Sequence, residues 1–302
     1  MSESRRLRLN RNLTAGVGLA SIGAVAASIA LTLPGTAAAA SGSTTLIGSG
    51  SSAAQTYLQD LFAAYTKTSA GKGLTLKYNP DGGNAGVADV ESGTSQFALQ
   101  TAQPSTTAVT SDQLFLDAET IAVNQSNKLT KIAIPQAADI FEGKLSNWTA
   151  VKGSGLTSTI HPYGREPTAG LFTIFQKVVL DGATFGSDVT QESSDGLVAT
   201  QVGSVKNSIG YIGLANSKKS GVKALGVSIK NGGTAFSPTD TNIKKFISTK
   251  GKSGYPLTHF DWVVLPNTGQ NATVKAFFKW VTTSSAAATV LEQAGAVPYF
   301  NK

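Results

Sequence analysis

Three stretches of this chain place small residues just ahead of an expected helix: Gly48–Ala53, Asp81–Gly86 and Gly164–Gly170. The first turn of a helix leaves backbone N–H groups without acceptors and carries a partial positive charge. Small side chains let an anion approach those groups closely. Arg165 stands in the third stretch, and its guanidinium presents a planar fork of donors suited to phosphate or carboxylate oxygens. Residues of these types at these spacings support capture of a small anion. One glycine–serine loop is more simply a tight turn, but three at strand-to-helix junctions point to a shared task.

Catalysis finds few candidates. His161 and His259 lie far apart, with no carboxylate or second histidine at metal-ligand spacing, so both read as strand-end residues and no metal site is expected. Gly48-Ser49-Gly50 and Gly50-Ser51-Ser52 only approach a nucleophile elbow, and no matching base and acid accompany them. A hydrolase built on Ser49, Ser51 or Ser52 would lack its base. The expectation is a binding protein that is not an enzyme and takes no cofactor.

The elements that would carry these loops follow from apolar spacing. Thr44–Ile47 reads as a strand, and Ala54, Tyr57, Leu58, Leu61, Phe62 and Tyr65 form one helical face, with Ser51 or Ser52 at the N-cap. Strands are expected at Leu74–Tyr78, Phe97–Leu99, Thr120–Val123, Ile160–Tyr163, Ile209–Leu214 and Trp262–Leu265. Helices are expected over Gly86–Glu91, from Pro135 to Gly143, around Leu171–Val179, around Leu197–Val205, and in two final segments ending at Gly295. Strands alternating with helices predict a mainly parallel sheet covered on both faces. In such sheets, ligands bind at the carboxyl ends of strands, where the three loops fall.

Residues 1–40 carry Arg5, Arg6, Arg8 and Arg11, then an apolar run from Val17 to Leu33, then Ala37–Ala40. That pattern predicts a secretory signal peptide cleaved after Ala39 or Ala40, and so a secreted protein. Without the leader's four arginines and one glutamate, 262 residues carry 21 basic and 17 acidic side chains, a net charge of +4. This mild, scattered excess argues against nucleic acid and suits a small anion. The chain has no cysteine, which excludes disulfides, thiolate chemistry and a lipoprotein anchor. With 41% hydrophobic and 14% charged residues, it can bury a substantial core.

From Leu46 to Tyr299 the sequence resembles the substrate-binding proteins of phosphate-specific ABC transporters, in the hinged type II solute-binding superfamily. Leu46-Ile47-Gly48-Ser49-Gly50-Ser51-Ser52 resembles the family's first phosphate loop, and Tyr78–Gly86 with Phe97 keeps the spacing of the second. Ile140-Phe141-Glu142-Gly143-Lys144-Leu145-Ser146-Asn147-Trp148 is similar to its Ile-Phe-x-Gly-x-Ile-x-x-Trp segment. Asn207–Gly213 and Tyr255-Pro256-Leu257 match two further segments. The resemblance implies ligand contacts from Ser51, Ser52 and Ala53, from Gly83 and Asn84, from Thr101, and from Arg165, Ala169 and Gly170. Thr101 stands where the family has an Asp that accepts a hydrogen bond from hydrogen phosphate, and Gly83 where it has a Ser. The third loop keeps the family's Arg and Gly but not its Ser and Thr.

The resemblance also implies a type II periplasmic-binding-protein fold of two lobes joined by two hinge strands. The first lobe is expected from 41–122 plus 226–302, and the second from 123–225. The ligand would be phosphate or a related small anion, the partner an ABC transporter permease, and the working form a monomer. The altered loops leave a second expectation: a secreted module of the same fold that has lost phosphate and recognises another ligand or a surface.

Overall fold

A computed structural model describes residues 44–299; the expected signal peptide lies outside the described residues. Strand β1 (Thr45–Gly50) feeds helix α1 (Gln55–Tyr65), β2 (Thr75–Asn79) feeds α2 (Gly83–Glu91), and β3 (Phe97–Gln100) follows. The longest strand is β4 (Val109–Asn124). Three more strand–helix units come next: β5 (Lys131–Ala133) with α3 (Ile134–Phe141), β6 (His161–Arg165) with α4 (Gly170–Val178), and β7 (Thr190–Glu192) with α5 (Asp195–Ser204). After β8 (Ser208–Gly213), β9 (Val222–Ala224) and β10 (Gly226–Ser228) comes α6 (Asp240–Ser248). The chain closes with β11 (Thr258–Pro266), α7 (Ala272–Thr283), α8 (Ser285–Ala294) and β12 (Val297–Pro298).

The main sheet runs in the order β2-β1-β3-β11-β4-β8-β6-β7. Parallel pairing, as expected, holds its two flanks: β1 lies between β2 and β3, and β6 between β7 and β8. The centre is antiparallel, where β4 pairs β11 through its first half and β8 through its second. This is a mixed α/β sheet of the type II periplasmic-binding-protein kind. The carboxyl ends of β1, β2 and β6 release the three small-residue loops.

Two apolar clusters hold the flanks. Beside β1, Tyr57, Leu61, Phe62 and Tyr65 of α1 pack against Phe97 and against Phe277 and Phe278 of α7. Beside β6, Trp148, Phe141, Phe175 and Tyr211 form the second cluster, and Phe175 stacks on Tyr211 at 4.0 Å between ring centroids. Trp148 is wholly buried, and its Nε1 donates to the Asn207 carbonyl at 2.8 Å. That bond satisfies the one polar atom of the ring and ties the Ile140–Trp148 segment to the turn entering β8. Among the described residues no helix is long and apolar enough to cross a membrane.

The start of α1 differs from expectation. Its N-cap is Ala54 rather than Ser51 or Ser52, and Ser51 Oγ accepts from the Ala54 N–H at 3.2 Å. The Ser52 hydroxyl is engaged elsewhere, by the third loop.

Candidate anion site

The third loop meets the first through Arg165, the last residue of β6. Its guanidinium donates from Nη1 to Ser52 Oγ at 2.7 Å, from Nε to the Glu192 carbonyl at 3.0 Å, and from Nη2 to the Ser193 carbonyl at 2.9 Å. Its backbone N–H donates to the Tyr211 hydroxyl at 2.8 Å, so the Phe175–Tyr211 stack fixes where the arginine leaves the strand. The residue is 2% exposed. Burial pulls its pKa below the usual value, and the Asp195 charge pushes the other way. Yet no carboxylate touches it: among the described residues the one ion pair joins Lys144 and Glu142. A guanidinium has five N–H bonds, and three are used here. A buried cation without a contacting anion is costly, so this position favours an anion that supplies the missing charge.

The partners of Ser52 sharpen the point. Its Oγ accepts from Arg165 and also from the Asp195 N–H at 3.1 Å. Both lone pairs are then occupied, which leaves the O–H free to donate. Ser51, Ser52, Gly82, Gly83, Arg165, Ala169, Gly170 and Leu171 line one small space, too tight for a water-sized sphere. Gly83 and Gly170, the first residues of α2 and α4, both line this space, and N–H groups in the first turn of a helix have no intrahelical acceptor.

Of the nine residues expected at the site, six therefore line one space: Ser51, Ser52, Gly83, Arg165, Ala169 and Gly170. Thr101 is buried beside it with Oγ1 unpartnered, and a Cβ added at Gly170 would come within 2.2 Å of that oxygen. Asn84 acts as a brace: its N–H donates to the Thr168 carbonyl at 3.1 Å and its Oδ1 accepts from Gln100 Nε2 at 2.8 Å. Ala53 packs toward Gly213.

A family profile described as a PBP superfamily domain matches residues 35–285. This chain belongs to the PBP superfamily. Among curated proteins, Protein SphX of Synechococcus elongatus is 29% identical over 133 residues, 42% of this chain and 39% of that protein. Phosphate-binding protein PstS 2 of Streptococcus pneumoniae is 27% identical over 106 residues, 34% of this chain and 36% of that protein. The match thus spans less than half the length of either relative. Among solved structures, a substrate-binding protein of Clostridium perfringens with bound phosphate superposes with a TM-score of 0.71 at 18% identity, covering 85% of this chain and 100% of that one. An ABC-type phosphate transport receptor of Vibrio cholerae gives 0.62 at 20% identity, covering 84% and 99%. These superpositions bear on the fold.

Two residues beside the candidate site are ones that spacing alone does not single out. Gln100, the last residue of β3, sends its Oε1 between the second and third loops, where it finds no partner. A Cβ at Gly83 would fall 1.8 Å from that oxygen, and one at Gly170 2.4 Å from it, so both glycines make room for the carboxamide. Its place at the carboxyl end of a strand, directly before Thr101, was the available signal. Asp195 opens α5 and is wholly buried, accepting from the Gly213 N–H at 3.1 Å and from Asn216 Nδ2 at 2.5 Å. Burial pushes its carboxyl up to about 6, with Arg165 opposing the rise. One expectation is corrected outright. His259 does have acidic neighbours at ligand distance, because antiparallel pairing places it opposite Asp117, a residue 142 positions earlier in the chain.

Proposed function

We propose that this chain is the secreted solute-binding component of an ABC transporter for phosphate, and that it binds, without chemical change, one anion in the space around Arg165. The observation that carries the proposal is a buried guanidinium with two uncommitted N–H bonds and no touching carboxylate, at the meeting point of three loops. The relatives' names point the same way. In this reading the Ser52 hydroxyl, the free N–H groups of Gly83 and Gly170 and the Arg165 fork donate to the anion. Thr101 Oγ1 serves hydrogen phosphate as donor or acceptor, and Gln100 Oε1 accepts from its O–H.

The enclosed space does not admit a water-sized sphere, so an anion enters only when the loops part. The bonds from the Asn84 N–H to the Thr168 carbonyl and from Arg165 and the Asp195 N–H to Ser52 Oγ join the two sides and must open. We assign the parting to two lobes, 41–122 with 226–302 and 123–225, moving about the strands that join them. The working form is a monomer that delivers its ligand to a permease. Titration of the purified protein with phosphate tests the proposal. One-to-one saturable binding supports it, and absence of binding at millimolar phosphate overturns it.

A further inference from the structure

Away from the anion site, β4 and β11 pair antiparallel with Asp117 directly opposite His259. Asp261 follows His259 by two residues and so faces the same side of the sheet. A β-bulge between Asp261 and Trp262 re-aims the strand at that point. One ligand-type atom from each of Asp117, His259 and Asp261 lies within 4.8 Å of the other two, and all three side chains are buried.

The hydrogen bonds around the trio leave free the atoms a cation would use. Asp117 Oδ1 accepts from the Tyr57 hydroxyl at 2.9 Å and from the Ala118 N–H at 2.7 Å, while Oδ2 has no partner. His259 Nδ1 lies 3.4 Å from the Leu257 carbonyl. A carbonyl can only accept, so the ring proton sits on Nδ1 and Nε2 keeps its lone pair. That Nε2 is sealed from solvent and unpartnered, and so are both carboxylate oxygens of Asp261. Ligating histidines characteristically hold their other nitrogen against such a carbonyl, and ligating carboxylates are themselves hydrogen-bonded. Lys218 acts on Asp117 without forming an ion pair.

We infer that Asp117, His259 and Asp261 form a structural site for one divalent transition-metal ion. One imidazole nitrogen with two carboxylates suits Zn²⁺ or Mn²⁺, whereas Ca²⁺ and Mg²⁺ favour oxygen-only shells. Donor atoms around a tetrahedral zinc stand about 3.3 Å apart, given Zn–N and Zn–O bonds near 2 Å. Separations within 4.8 Å would have to close toward that spacing as the ion binds. The ion would pin β4 to β11 beneath Tyr57 of α1, the helix that follows the first anion loop.

The test is metal analysis of the purified protein, followed by unfolding in denaturant with chelator and refolding with Zn²⁺, Mn²⁺ or Co²⁺. The expected result is one equivalent of metal per chain, a raised melting temperature on refolding with Zn²⁺ or Mn²⁺, and visible d–d absorption with Co²⁺. Both His259→Leu and Asp261→Asn should abolish all three. Wild-type protein that holds no metal and gives no Co²⁺ spectrum would overturn the inference, as would stoichiometric metal retained by both variants. If either variant fails to fold, the wild-type stoichiometry and Co²⁺ spectrum still decide. Asp261→Asn that melts higher than a metal-free wild type would instead identify two acids sharing a proton.

Discussion

Replacing Arg165 by methionine separates the two roles of its charge. The substitution keeps most of the side chain's volume and removes three donated bonds, to Ser52 Oγ, Glu192 O and Ser193 O. Hydrogen bonds from a charged donor contribute about 1.5–3 kcal/mol each. Against that loss, the variant no longer buries a cation without a touching anion, a penalty of several kcal/mol. These terms are of similar size and opposite sign, so the ligand-free protein should change stability by no more than about 2 kcal/mol. Binding has no such compensation. Two charge-assisted bonds to the anion vanish, about 3–6 kcal/mol together, which weakens phosphate binding by roughly 10²–10⁴-fold. Calorimetric titration with phosphate reads the second effect, and thermal melts without phosphate read the first. Arg165→Met that binds phosphate within threefold of wild type would refute the assignment of the site. Arg165→Lys should fall between the two, because it keeps the charge but not the fork.

Three further outcomes are expected. Gly170→Ala puts a methyl within 2.2 Å of Thr101 Oγ1 and 2.4 Å of Gln100 Oε1, an overpacking cost of about 1–3 kcal/mol, and should weaken phosphate binding roughly 5–100-fold by titration. Thr101→Asp restores an acceptor beside the anion and should lower sulfate affinity at least tenfold while phosphate still binds, read by paired titrations. Glu119 is wholly buried with both oxygens unpartnered, and burial raises its pKa well above the usual value, as it raises Asp195 to about 6. A raised carboxyl stabilises the fold fully below its unfolded value near 4 and loses that contribution as pH rises through its folded value. Melting temperature should therefore fall as pH climbs from about 4 to 7 or beyond, and Glu119→Gln should flatten that slope.

Much of the architecture was legible because the apolar faces are clean. Tyr57, Leu58, Leu61 and Phe62 announce α1, and the small residues before it mark the loop at the end of β1. Strand β4 was largely hidden. Its buried run includes Asp117, Glu119 and Thr120, which break the alternation that marks a strand, so only Thr120–Val123 read as extended. Helix α6 buries Ile243 alone, too little for an apolar stripe. The same physics explains what could be read of the site. Arg165 and the glycines declare themselves by type, whereas Gln100 matters only because the fold brings β3 between two loops. Asp117 and His259 become neighbours only through strand register.

The most direct measurement is isothermal titration of the purified protein with phosphate, with sulfate in parallel. We predict one-to-one phosphate binding at micromolar or tighter affinity, weakened roughly 10²–10⁴-fold in Arg165→Met. No heat from millimolar phosphate, in a protein shown to be folded and free of carried-over anion, would contradict the assignment of this chain as a phosphate receptor.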